Sequence, residues 1–139
     1  MRPIEPYIRF WETISPAALD HLDRTFAPDI RFRDPFNDIS GTAALRAVLE
    51  PMFRHLEDPR FAVTRAADAG DNVWLLRWDF TCRFRRRDWH FPGMSEVVLN
   101  QDGRAAVHID HWDSGTYFYG QLPLLGGIIG LIRRRAGRH

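Results

Sequence analysis

The twelve residues Val73 to Phe84 alternate more strictly than any other stretch of the chain. Their even positions, Trp74, Leu76, Trp78, Phe80, Cys82 and Phe84, are apolar without a break, whereas the odd positions Arg77, Asp79, Thr81 and Arg83 are polar. Side chains alternate across a β-strand, so this run predicts one long strand with a wide aromatic face. A face holding two tryptophans and two phenylalanines has to be covered, either by helices packed on the sheet or by a dimer interface.

The rest of the chain supplies both. Tyr7, Ile8, Trp11 and Ile14 are at helical spacing, and Ser15-Pro16 offers an N-cap and a first-turn proline for a second helix bearing Leu19, Leu22 and Phe26. Pro28 and Asp29 close that helix before a short strand, Ile30 to Arg33, and the turn-rich segment Asp34 to Gly41 leads into a helix from Thr42 with Leu45, Val48, Leu49, Met52, Phe53 and Leu56 on one face. Strands follow at Phe61–Thr64, Asn72–Phe84, Trp89–Asn100 and Arg104–Asp113, joined by turns at Asp68–Asp71, Arg85–Asp88 and Gln101–Gly103. Helices followed by a meander of long strands predict an α+β domain in which helices cover one face of a curved antiparallel sheet. At 139 residues the chain fits one such domain.

Composition excludes several functions. The net charge of +1 gives no argument for nucleic acid as the main partner. All nineteen basic residues are arginine, which removes lysine Schiff-base chemistry. A lone Cys82 forms no internal disulfide, no secretory h-region opens the chain, and the expected location is cytoplasmic. There is no phosphate-binding glycine loop or serine elbow, and no cofactor is expected. The tail 122–135 reads as a C-terminal apolar helix ending in Arg133-Arg134-Arg135, short of the roughly 20 residues of a membrane span. It is expected to close the cavity mouth or pack beside it, without stable membrane insertion.

Three motifs can carry chemistry. Asp34 stands at a strand end beside Phe32, Pro35 and Phe36, either as a base against an apolar wall or as the cap of the following turn. In the last strand His108, Asp110 and Trp112 share one face, an unusual place for a carboxylate in a core. His108 and His111 point to opposite sides and cannot share a metal ion, so no metal site is expected. Arg77 and Asp79 have two readings: a solvated pair on the outer face, or cavity residues, with a β-bulge able to convert one register into the other.

The segment Phe26-Ala27-Pro28-Asp29-Ile30-Arg31-Phe32-Arg33-Asp34-Pro35, with Ser40-Gly41-Thr42 after it, resembles the ketosteroid isomerase segment that carries the catalytic aspartate, which falls on Asp34. Arg77-Trp78-Asp79 and Asp110-His111-Trp112-Asp113 resemble the two motifs of limonene epoxide hydrolase. The resemblance spans about Tyr7 to Leu125 and implies the cone fold of nuclear-transport-factor-2-like and SnoaL-like proteins, a cystatin-like α+β barrel. It also marks departures: the isomerase's oxyanion tyrosine falls on Phe10 and its second aspartate near Ser95, while the hydrolase's tyrosine and asparagine fall on Phe32 and Asp34. The chain is thus expected to be a pocket protein for a small lipophilic molecule, either an acid–base enzyme of isomerase or epoxide hydrolase type or a non-catalytic binding or dimerisation module. Candidate catalytic residues are Asp34, Asp110, His108, Asp79 and Arg77; candidate substrate contacts are Tyr7, Trp11, Phe32, Phe53, Ser95 and Trp112. The surplus of apolar sheet surface predicts a homodimer.

Overall fold

A computed structural model describes residues 2–121 and 123–137. Helix α1 (Glu5–Glu12) carries Pro6 in its first turn and buries Tyr7, Ile8 and Trp11. The expected second helix is a 3-10 segment, Pro16–Arg24, in which Ser15 Oγ accepts from the Ala18 amide at 3.3 Å. His21 leaves helical space at φ −130°, so the segment cannot run on as an α-helix. Strand β1 (Phe26–Arg33) absorbs Pro28 and Asp29, and its pairing is irregular between Phe26 and Arg31, where a proline lacking an N–H is tolerated. The turn-rich segment folds back as β2 (Asp38–Ser40), and Gly41, at φ 90°, starts α2 (Thr42–His55), which buries Leu45 and Leu49.

Four long strands follow: β3 (Glu57–Gly70), β4 (Val73–Phe84), β5 (Arg87–Leu99) and β6 (Ala105–Trp112). Asp71 and Asn72 join the first pair and Arg85 and Arg86 the second, all four at positive φ. Two consecutive left-handed residues give a tight connection whose twist suits antiparallel strands. The sheet order is β2-β1-β6-β5-β4-β3. The expected meander from β3 to β6 is antiparallel throughout, but β1 lies parallel to β6, so the sheet is mixed rather than wholly antiparallel. A strand separated from its neighbour by a helix and four strands can arrive in either direction, and nothing local in the sequence sets which. Beyond β6 come a short helix α3 (Ser114–Tyr117), a 3-10 turn (Tyr119–Gln121) and α4 (Pro123–Ala136); of the expected helix 122–135, Leu122 lies outside the described residues.

The alternation in β4 settles its facing. Trp74, Leu76, Trp78, Phe80 and Cys82 are buried against α1, α2 and the 3-10 segment, while Leu75, Thr81 and Arg83 are exposed. The pairing with β5 runs in unbroken register from Val73 opposite Val98 to Phe84 opposite Arg87, so no bulge interrupts the alternation. Arg77 and Asp79 consequently belong to the outer face, which corrects the cavity reading of these two residues. Under Trp78 the sheet carries Gly93, where any Cβ would overlap the indole ring. That absence of a side chain lets the tryptophan lie flat on the strand and shape the floor of the cavity.

Replacing Gly93 with valine should destabilise the fold by about 1–3 kcal/mol, because the indole has to leave a well-packed site. Urea denaturation followed by tryptophan fluorescence measures this, and an unchanged midpoint would show that Trp78 does not depend on the glycine.

Candidate active site

The inner faces of β4, β5 and β6, together with α2 and the turn after β1, enclose a cleft of about 290 Å³. Phe32, Phe61, Phe80, Phe91 and Trp112 form most of its wall, and Val48, Leu49 and Met52 face them from α2. At its inner end the cleft meets a recess of about 20 Å³ between Leu76, Val63, Ser95 and His108, room for little more than one water. Trp11, Phe61, Trp78 and Asp110 line both spaces and mark their junction.

The polar groups at that junction form one chain of hydrogen bonds. Strand alternation in β6 turns His108, Asp110 and Trp112 inward. The Trp78 indole N–H can only donate, and it donates to Ser95 Oγ at 2.8 Å. The Ser95 hydroxyl then donates to Asp110 Oδ1 in a short hydrogen bond. The same oxygen is 2.6 Å from His108 Nε2, and His108 Nδ1 is 2.5 Å from the Tyr7 hydroxyl. Burial pushes the Tyr7 phenol well above its ordinary range, opposed in part by the Trp11 indole and reinforced by the charge of Asp110. Tyr7 therefore remains a hydroxyl, which can donate or accept, and the chain runs from Tyr7 through His108 to Asp110 when the imidazole proton sits on Nε2. Phe32 stacks on the imidazole at 5.1 Å and 15°, closing its other side.

Asp110 Oδ1 is thus held by two donors, each fixed by a further group. No protein partner is found for Oδ2 among the described residues. Ser95 and His108 are buried at 2% and 3% exposure, and the Asp110 side chain keeps 18%. The arrangement fixes one oxygen of a carboxylate that lines a largely aromatic cleft.

The other expected residues fall differently. Asp34 reaches the cleft, but its Oδ1 accepts from the Phe36 amide at 2.8 Å, the Asn37 amide at 2.7 Å and Asn37 Nδ2 at 3.1 Å. It is the cap of its turn, and its Oδ2 accepts one further bond, from Asn37 Nδ2 at 3.3 Å. Arg77 and Asp79 lie 3.8 Å apart on the outer face, where Asp79 also meets His90 Nε2 at 3.0 Å. Phe53 packs against the core without lining the cleft, its neighbour Met52 taking that place. Tyr7 sits behind His108 rather than on the wall, while Trp11, Phe32, Ser95 and Trp112 do line the cavity. Sequence reasoning missed the Tyr7–His108 and Trp78–Ser95 bonds. The first spans 101 positions and has no local signal; for the second, Gly93 within a strand was the available clue. It also missed the mouth, where Phe36 contacts Trp112, Phe118 and Tyr119 at ring separations of 5.6, 5.1 and 5.9 Å.

Tyr7→Phe should cost about 1–3 kcal/mol, because it leaves the buried Nδ1 of His108 without its donor. Since folding raises the Tyr7 pKa, its contribution is complete below the exposed-phenol value of about 10 and is lost as pH rises from there toward the folded value. The wild-type and Tyr7→Phe stability curves should therefore converge in alkali, and a constant gap above that pH would contradict the burial argument.

Comparison with known proteins agrees with this fold. The profile of the SnoaL-like domain family matches residues 7–108. No curated protein matches the chain. Among solved structures, an NTF2-like protein of unknown function from Burkholderia pseudomallei superposes with a TM-score of 0.71 at 17% identity, over 84% of this chain and 95% of its own. An LEH-like epoxide hydrolase from M. tuberculosis gives 0.67 at 18%, over 96% and 94%, and a protein with a ketosteroid isomerase-like fold from Catenulispora acidiphila gives 0.69 at 15%, over 84% and 88%. At such identities the structural likeness establishes the fold. The cone built on β4 and the family profile, which covers most of the sequence, lead to one assignment: the chain belongs to the SnoaL-like domain family.

Proposed function

We propose that this chain is a small-molecule pocket protein that performs acid–base chemistry on a lipophilic substrate, with Asp110 as the group that meets the substrate. The observation that supports it is the asymmetry of the Asp110 carboxylate, whose Oδ1 is fixed by Ser95 and His108 while Oδ2 has no protein partner among the described residues, on a side chain that lines the cleft. A carboxylate oxygen surrounded by aromatic walls has few competing hydrogen bonds and can take a proton from, or return one to, a carbon or oxygen acid placed against it. His108 and Tyr7 orient that carboxylate, and the aromatic lining selects an apolar substrate. With Arg77 and Asp79 on the outer face, the hydrolase-like set is not assembled around the cleft, and a proton shuttle of the isomerase type fits better than epoxide opening. No cofactor is needed for such a step.

A second reading, a non-catalytic binding module, is favoured by the state of Asp34, whose hydrogen bonds within its own turn leave the cavity with one free carboxylate rather than an acid and base pair. Both readings carry a cytoplasmic homodimer. Its interface would be the outer sheet face, where Leu75 and Met94 are 39% and 47% exposed beside Val98 and Ile109.

Asp110→Asn should lower turnover of an enolisable lipid by roughly a thousandfold while leaving apolar dye binding intact. Asp34→Asn should retain most activity and lose about 1 kcal/mol of stability. Unaltered activity in Asp110→Asn would rule out the catalytic role, and wild-type protein that binds the lipid without turnover would favour the binding module.

Sedimentation at tens of micromolar should give a dimer that Leu75→Arg with Met94→Arg converts to monomer. A wild-type monomer would remove the proposed interface.

A further inference from the structure

The end of the chain presents its apolar stripe outward. In α4, Ile128, Leu131 and Ile132 are spaced i, i+3 and i+4, so they form one face of the helix, and they are 50%, 45% and 60% exposed. An amphipathic helix of a globular protein ordinarily turns such a stripe to the core. Here α4 packs chiefly on the turn Tyr119–Gln121, against which Gly126 is set so close that a Cβ would strike the Gly120 carbonyl. The contact anchors one end of the helix and leaves the aliphatic stripe uncovered.

Charge identifies what covers it. From Ser114 to the end of the sequence there is no Asp or Glu, while Arg133, Arg134, Arg135 and Arg138 all fall in the last seven residues. Arg133 to Arg135 are exposed, and Arg133 helps hold the Asp113 carboxyl below its usual range, behind the larger effect of the Thr116 hydrogen bonds. Tyr117, Phe118 and Tyr119 stand at the root of the same segment, residue types suited to the headgroup boundary. A short aliphatic stripe, flanking aromatics and a cluster of arginines on a segment with no Asp or Glu of its own together make the surface of an interfacial helix.

We infer that α4 and the residues before it form a docking surface for an anionic lipid bilayer, on which the helix lies flat. At 14 residues and 1.5 Å per residue it is about 21 Å long, and no helix among the described residues is long and apolar enough to cross a membrane. The arginines supply the preference for anionic over zwitterionic lipid, and the aliphatic stripe supplies the part of binding that salt does not screen. Because Phe36, Phe118 and Tyr119 pack together beside Trp112, the docked face adjoins the mouth of the cleft. An apolar ligand could then pass from bilayer to cavity with little exposure to water. The surface itself does not depend on the role given to Asp110.

Flotation of the whole chain with vesicles tests this directly. With phosphatidylglycerol and phosphatidylcholine in equal parts at 0.1 M salt the protein should float, and with phosphatidylcholine alone it should stay at the bottom. Replacing Arg133, Arg134 and Arg135 together with glutamine should weaken partitioning on the order of a hundredfold. The triple change Ile128→Ser, Leu131→Ser and Ile132→Ser should abolish the fraction that remains bound at 0.5 M salt. Circular dichroism and apolar dye binding should show both variants folded with the cavity intact. Equal partitioning into the two lipid compositions, or into neither, overturns the proposal. So does sedimentation showing that the serine variant dissociates an assembly of the wild type, since the stripe would then be an interface between copies of this chain.

Discussion

The Asp110 carboxylate is the constraint on which the rest of the structure turns. A charged oxygen beside aromatic rings is unfavourable unless its hydrogen bonds are supplied by the protein, and two are supplied here at a single atom, from Ser95 and His108. Each donor is set by another residue, Trp78 for the serine and Tyr7 for the histidine, so α1, β4, β5 and β6 all contribute to one atom's environment. The core packing and the candidate chemistry are therefore the same set of contacts. The Trp78 indole serves as floor of the cavity and as hydrogen-bond donor, and Gly93 is the vacancy in the sheet that permits both.

This explains which parts of the molecule were legible in the sequence. The β4 pattern states that a single long strand is present, but its facing stayed open in the sequence until the unbroken pairing with β5 excluded a bulge. The tight turns at Asp71-Asn72 and Arg85-Arg86 fall beside the strand ends that alternation marks. His108, Asp110 and Trp112 were legible for the same reason: two-residue spacing on a strand places side chains on one face whatever they contact. Where the reasoning depended on one strand meeting another from far away, it failed or stayed open. Nothing between Arg33 and Ala105 says that β1 will lie parallel to β6, and nothing near Tyr7 says that its hydroxyl will reach a histidine at position 108.

Asp34 and the Arg77–Asp79 pair show the limit of resemblance as a guide. Each sits in a motif like that of a catalytic relative, yet Asp34 spends its oxygens on its own turn and the pair faces away from the cleft. A cone of this kind fixes where a cavity lies and leaves the chemistry to the few polar side chains that reach it. In this chain the cleft takes polar side chains from both walls, Asp34 and Asn37 from the turn after β1 and Asp110 from β6, and Ser95 and His108 lie in the recess behind Asp110.

The central claim is that the hydrogen-bond chain runs from Tyr7 through His108 to Asp110, with Tyr7 donating to Nδ1 and Nε2–H donating to Asp110. Nitrogen-15 NMR of the histidine side chains, with His108 assigned through a His108→Gln variant, reads this from the chemical shifts of the two ring nitrogens. The account predicts a protonated Nε2, coupled across the hydrogen bond to a carboxylate, and an Nδ1 shift typical of an acceptor, with the Nδ1 signal moving in Tyr7→Phe. A proton found on Nδ1 with a bare Nε2 would reverse the direction of the chain, make Asp110 the donor, and contradict the assignment of its second oxygen as the base.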